Sequence, residues 1–231
     1  VACKVAEAIR PHHYRNGFHS TGTIGVLGAA AAAAKLLGLD EAKTRMAIGI
    51  AASKSAGIRA AFGTMTKPYH AGAAAQNGVV AAKLASLGYD TDPDALDGPW
   101  GFFQVAGGGC DPEVLRGRLG EPFALVEPGV SIKPYPCGSL LHPTMDGVLE
   151  LVQEHDIRPE QVEEVRLGTS SNVLAALRYQ EPQNELQAKF SIPFGIAILL
   201  LERRAGLRLF TDVVVRRPEV RELMRHVQPY L

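Results

Sequence analysis

The sequence predicts a mainly α protein, an all-helical domain followed by a smaller α+β domain. Three observations carry this. The first ninety or so residues hold Ala-rich segments of helical period broken by Gly and Pro. The texture changes after residue 90, where Gly, Pro and Asp crowd together. Beyond that change, helical patterns mix with one clear alternating stretch, the mark of a half-buried strand. The expected division is residues 1–120 and 121–231, the second part incomplete, with the change of style falling within about 107–128.

Val1 to Arg10 has apolar and small residues at helical spacing, and Pro11 stops it. Thr21 to Leu39 is Ala-rich, and Gly38 suits the position after a helix. Asp40 then caps a helix with acidic residues in its first turn, ending near Gly57. A third helix is expected from about Tyr69 to Leu87, ended by Gly88, with small residues spaced for close packing. Residues 91–109 read as irregular. SIKPYP (131–136) is expected as an extended stretch and loop, Leu141 to Glu154 as a helix, and Val162 to Thr169 as a strand. Lys189 to Glu202 is apolar throughout and reads as a buried helix; Phe210 to Val215 is expected as a strand.

Composition narrows the function. Hydrophobic residues make up 46% and charged residues 21%, ordinary for a globular chain, and the formal net charge is zero, which gives no footprint for a nucleic-acid partner. Three cysteines, Cys3, Cys110 and Cys137, lack CxxC spacing, so neither a disulfide framework nor a zinc site is expected. The most apolar run, Phe190 to Leu201, is about 12 residues, short of the roughly 18 a membrane span needs. No signal peptide is read at the start, and a chain beginning at Val1 inside a helical pattern reads as a fragment or a processed product. These readings place the protein in the cytoplasm, with no membrane and no nucleic-acid partner.

Lys-Pro-Tyr occurs twice, in TKPYHAG (66–72) and IKPYPCG (132–138), in a chain with eight lysines. Unlike neighbours argue against a duplication. Lys67 opposes the dipole of the helix it opens, so something outside that helix is expected to need its charge. The free N–H groups of such an end favour an anion, and His70 lies one turn on. The bland reading is a solvated lysine and a packed histidine. The second copy is a proline-stiffened loop that presents Lys133, Tyr135 and Cys137 ahead of His142; here Ser139 and His142 serve equally as helix caps. NGFHSTGTIG (16–25) puts His19 before a helix start, as an acid–base candidate or merely beside the caps Ser20 and Thr21. AGGGC (106–110) lacks the GK[ST] ending of a phosphate loop, and Cys137 has no partner by spacing for nucleophilic work.

Taken in order, GFHSTGTIG, TKPYHAG, the GFF after Gly-Pro-Trp, IKPYPCGSLLHP and AKFSIPFGIA resemble the MmgE/PrpD family over about residues 15–200. That family holds 2-methylcitrate dehydratases, a cis-aconitate decarboxylase and an iminodisuccinate epimerase. The resemblance implies a metal-independent, cofactor-free lyase or isomerase that moves a proton at a carbon beside a carboxylate of a di- or tricarboxylic acid. It also implies a homodimer and a site between the two domains. By motif, Lys67 and His70 match one lysine loop, Lys133 and His142 the other, and His19 the histidine before the Gly-rich helix start. His19, His70, Lys67 and Lys133 are thus expected to be catalytic, and Thr66, Tyr135, Cys137 and His142 to bind substrate, with the two lysines clamping its carboxylates. The TKPYH form is closer to the decarboxylase and epimerase branches. Complete members are longer, and an earlier segment bearing Asp and His completes their site; its absence leaves open a non-catalytic scaffold that only binds or dimerises. A hydrolase using Cys137 is the third reading.

Overall fold

The computed structural model of the chain describes residues 1–120 and 122–231. Glu121, where the sequence reading begins the second domain, lies outside the described residues. The protein is mainly α and divides into two compact units, Val1–Ala61 with Thr66–Val130, and Phe62–Met65 with Ser131–Leu231.

The first unit is built from α1 (Ala2–Ala8), α2 (His12–Arg15), α3 (Ser20–Thr23), α4 (Gly25–Leu36), α5 (Glu41–Ser53), α6 (Thr66–Ser86) and α7 (Phe102–Gly107). Its centre is the packing of α4, α5 and α6 on one another. Val26, Leu27, Ala30 and Ala34 of α4 and Ala74, Ala81, Ala82 and Ala85 of α6 are buried in that core. Such a run of alanines lets the backbones come close. Gly78 takes this furthest: a Cβ there would meet the Ala29 Cβ and lie 2.7 Å from the Ala30 nitrogen and 2.8 Å from the Val26 oxygen. Asp40 caps α5, its carboxylate accepting the Lys43 N–H at 2.8 Å. Gly38, just before it, sits at φ +64°.

Three details differ from the sequence reading. The helix expected from Thr21 breaks at Ile24 into α3 and α4. Helix α6 begins at Thr66, so Lys67 and Pro68 both lie in its first turn, where a missing proline N–H costs nothing. The stretch read as irregular contains α7, bounded by Gly101 as N-cap and by Gly108 at φ +68°.

The second unit holds α8 (His142–Glu154), β1 (Val165–Gly168), α9 (Ser171–Ala176), α10 (Glu185–Ala188), α11 (Ile192–Glu202), α12 (Asp212–Val215), α13 (Pro218–Arg225) and β2 (Val227–Tyr230). Helix α11 is its axis: Ile192 to Leu200 are all buried. A helix apolar on every face needs cover on every face; α8, α13 and β2 pack on it. Ser191 caps it by accepting the Phe194 N–H. Strands β1 and β2 pair in parallel, Val165 opposite Val227 and Gly168 opposite Tyr230.

The strand expected over Phe210–Val215 is instead helix α12. Its valines favour a strand, but Thr211 caps a helical turn that buries Val214 and Val215, and the Asp212 carboxylate accepts the Glu185 N–H at 2.8 Å. The partner of β1 is β2, a segment the sequence reading left unassigned. Its Pro229 argues against a strand by pattern, yet is tolerated because a two-stranded sheet has only edges. The loop 131–136 forms no strand. Among the described residues no helix is long and apolar enough to cross a membrane.

Candidate functional site

The first unit brings His19, Lys67 and His70 together. His19 is the N-cap residue of α3, with extended backbone at φ −94°, ψ 99°. Its N–H donates to the Gly57 carbonyl at 3.0 Å, beside a bridge between Phe18 and Ile58, so the chain before α3 is fixed to the stretch after α5. His70 lies in α6, one turn after Lys67. The two imidazoles meet Nδ1 to Nδ1 at 2.9 Å, with ring planes 48° apart.

Both rings are buried, His19 at 8% and His70 at 9% exposure. Two glycines make the room. A Cβ on Gly22 would collide with the Ala56 carbonyl oxygen and stand 3.2 Å from the His70 Cβ. Gly57, at φ +136°, presents its bare Cα side to the His70 ring, where a Cβ would come within 3.3 Å of Cγ and Nδ1. Burial, then the Lys67 charge, then His70 push the His19 pKa down to about 4. Lys67 is half-buried, whereas Thr66 and Tyr69 beside it are exposed.

A third histidine, His13, supports this arrangement from behind. Its Nδ1 is 2.9 Å from the Ala106 carbonyl, which only accepts, so Nδ1 carries the proton and Nε2 accepts the Thr23 hydroxyl at 2.7 Å. The Thr23 oxygen also lies 3.2 Å from the His19 carbonyl. One hydroxyl hydrogen cannot serve both, and the shorter bond takes it. His13 stacks on Phe18 at 4.7 Å between centroids, and burial lowers its pKa. The sequence reading passed over His13, because its partners are 93 and 10 residues away with no periodic signal.

The second unit gathers Lys133, Tyr135, Cys137 and His142. The Lys133 ammonium donates to the Cys137 carbonyl at 3.0 Å and so closes its own loop. The Tyr135 hydroxyl donates to an Asp146 carboxylate oxygen at 2.7 Å. Burial, with that bond, pushes the Tyr135 pKa up to about 12. Asp146 was not singled out from sequence; its place one helical turn after His142 on α8 was the available signal. Cys137 is in the core, its sulfur 3.7 Å from that of Met145, and burial raises its pKa to about 12. A thiol held protonated in an apolar setting is no nucleophile, which removes the support for a cysteine hydrolase. His142 is 8% exposed and meets the Tyr135 ring edge-on at 5.4 Å. Its Nε2 is buried with no hydrogen-bond partner among the described residues.

Among the described residues, no three His, Cys, Asp or Glu side chains converge as metal ligands would. Residues 1–115 match the model of the MmgE/PrpD N-terminal domain, and residues 135–230 that of the MmgE/PrpD C-terminal domain. The chain is 32% identical over 215 residues to the cis-aconitate decarboxylase of Homo sapiens, covering 91% of this chain and 44% of that protein. Against the Mus musculus enzyme of the same name it is 31% identical over 218 residues, covering 91% and 44%. Against the cis-aconitate decarboxylase of Aspergillus terreus it is 29% identical over 236 residues, covering 93% and 47%. The chain thus spans about half the length of the curated relatives it matches.

Proposed function

This chain belongs to the MmgE/PrpD family, and from that premise we propose that it forms part of a lyase acting on a di- or tricarboxylic acid, with cis-aconitate as the first substrate to test. The observation that carries the proposal is the cluster of Lys67, His19 and His70: a cation beside two coupled imidazoles in a buried setting.

The chemistry follows from that cluster. Losing CO2 from a carbon skeleton leaves an electron pair on carbon, which a neighbouring carboxylate or alkene spreads as an enolate-like anion. A proton must then reach that carbon. Lys67 suits a carboxylate and the charge that grows beside it, and a fixed ammonium in a partly dehydrated site acts more strongly there than in water. A histidine is the proton donor suited to neutral pH. Burial does most to hold His19 neutral and the Lys67 charge comes second; a carboxylate bound at Lys67 offsets that second part and so eases protonation of the imidazole.

The proposal keeps Lys133 as a carboxylate-binding residue, with Tyr135, Cys137 and His142 shaping its loop, and Thr66 as a hydroxyl near Lys67. A homodimer in the cytoplasm is part of the same proposal, to be tested by sedimentation and fractionation.

The test is the full-length protein incubated in D2O with cis-aconitate, citrate, methylcitrate or iminodisuccinate and followed by NMR. Release of CO2 with one deuterium on the product carbon supports a decarboxylase. Loss of water from methylcitrate moves the proposal to a dehydratase, and deuterium exchange without net conversion moves it to an epimerase. Turnover of none of the four, or Lys67→Met and Lys133→Met variants with unchanged turnover and affinity, refutes it.

A further inference from the structure

We propose that His19 and His70 work as one proton relay, a single proton bridging their Nδ1 atoms while protons enter and leave at the two Nε2 atoms. The catalytic use of this relay rests on the lyase reading above; the proton arrangement within the pair does not.

The geometry carries the argument. Two imidazole nitrogens 2.9 Å apart cannot both present lone pairs, which repel, nor both carry hydrogens, which would share one gap. One Nδ1 is therefore protonated and the other accepts. For neutral rings this fixes opposite tautomers: one ring bears its proton on Nδ1 and offers a lone pair at Nε2, and the other bears its proton on Nε2. Neither ring is loosely held. His19 is tied through its backbone to Gly57, and His70 is boxed by Gly22 and Gly57.

A pair so arranged passes protons with full balance. When the Nε2–H of one ring gives its proton to a carbanion, that nitrogen keeps the electron pair. The bridging proton then crosses to that ring's Nδ1, and the other ring takes a proton at its own Nε2. One proton has moved from one end to the other, a C–H bond has formed on the substrate, and the two tautomers have exchanged. Proton exchange after product release restores them. Burial first, and then the charge of Lys67 one turn before His70 on α6, make an imidazolium costly at His19. The pair is therefore suited to handing a proton on and poorly suited to storing one.

Two measurements test this. In protein labelled with 15N-histidine, long-range proton–nitrogen spectra without substrate at pH 8 should show one ring of the pair protonated at Nδ1 and the other at Nε2. Two rings of the same tautomer would overturn the relay, whatever the enzyme's activity. In the full-length protein turning over cis-aconitate, His70→Asn keeps a hydrogen-bonding group near the old Nδ1 but carries no second nitrogen for relay. A relay predicts that kcat falls about 100-fold or more with KM unchanged, in both His70→Asn and His70→Ala. Recovery of kcat in His70→Asn relative to His70→Ala would reduce His70 to a positioning residue and overturn the relay. Absence of cis-aconitate turnover in the unaltered protein tells against the lyase reading, and the spectra then decide the proton pair alone.

Discussion

Helix α6 contains two glycines for which the same substitution has opposite consequences. At Gly78 an added methyl meets α4 at backbone atoms, 2.7 Å from the Ala30 nitrogen and 2.8 Å from the Val26 oxygen. Ordinary contact needs nearly 1 Å more, and a backbone cannot swing aside as a long side chain can. Overpacking of this kind costs about 1–3 kcal/mol. With two backbone atoms and a neighbouring methyl all too close, the upper part of that range applies, about 3 kcal/mol. Alanine returns about 1 kcal/mol through helix propensity. Gly78→Ala should therefore lose about 2 kcal/mol, a drop of roughly 4–8 °C in Tm. At Gly72, on the exposed face of α6, a Cβ meets nothing within 4 Å. Gly72→Ala should gain up to about 1 kcal/mol, or roughly 2–4 °C. Urea titration and calorimetry of the two variants beside the parent measure both shifts. A Gly78→Ala protein as stable as the parent, or equal shifts in the two variants, would refute the claim that contact between α4 and α6 depends on that missing methyl.

The pH dependence of stability has a sign set by His19. Its pKa drops from 6.5 to about 4 on folding, so the folded state resists a proton that the unfolded chain accepts. The resulting contribution is fully present above pH 6.5 and is lost as pH falls toward 4, up to about 3 kcal/mol in all; urea midpoints should fall across that window, and less steeply in His19→Gln. His13 shifts in the same direction and adds to the slope. Thiol labelling at pH 8 should mark exposed Cys3 quickly and leave Cys137 unmarked until the protein unfolds, since a pKa near 12 leaves about one thiolate in 10⁴; rapid alkylation of Cys137 in native protein would contradict its burial. Tyr135→Phe keeps the ring against His142 and leaves the exposed Asp146 carboxylate to water, so it should cost only the net worth of one hydrogen bond, about 0.5–1.5 kcal/mol in urea unfolding; a loss above about 3 kcal/mol would show that the carboxylate depends on that hydroxyl.

Local chemistry was legible where it acts over a few residues. The Asp40 cap, the turn at Gly38 and the apolar run of α11 could be read directly, because each depends on neighbours in sequence. Helix α7 was hidden by the glycines that bound it, since these are also what an irregular segment contains. Strand β2 was left unassigned and helix α12 was misread for a shared reason: their fate is decided by partners far along the chain, β1 for the one and Glu185 with the surrounding core for the other. The candidate site divides in the same way. His19 and His70 were each visible as motif residues, but their Nδ1 contact spans 51 positions and leaves no periodic trace. Tyr135 was visible as a polar group on a stiff loop, whereas the carboxylate that occupies its hydroxyl was not.

The parallel pairing of β1 with β2 also dictates an order of events during synthesis. Val165 leaves the ribosome about sixty residues ahead of Val227. At ordinary elongation rates the first strand waits roughly 3–12 s for its mate. Through that interval its backbone groups are open to any other extended chain nearby. The waiting segment is short, four residues, and is preceded by Glu163 and Glu164 with Arg166 on its outer face. Charges so placed discourage a stray strand from docking. The acidic pair thus stands beside the strand through the seconds before its proper neighbour has been made.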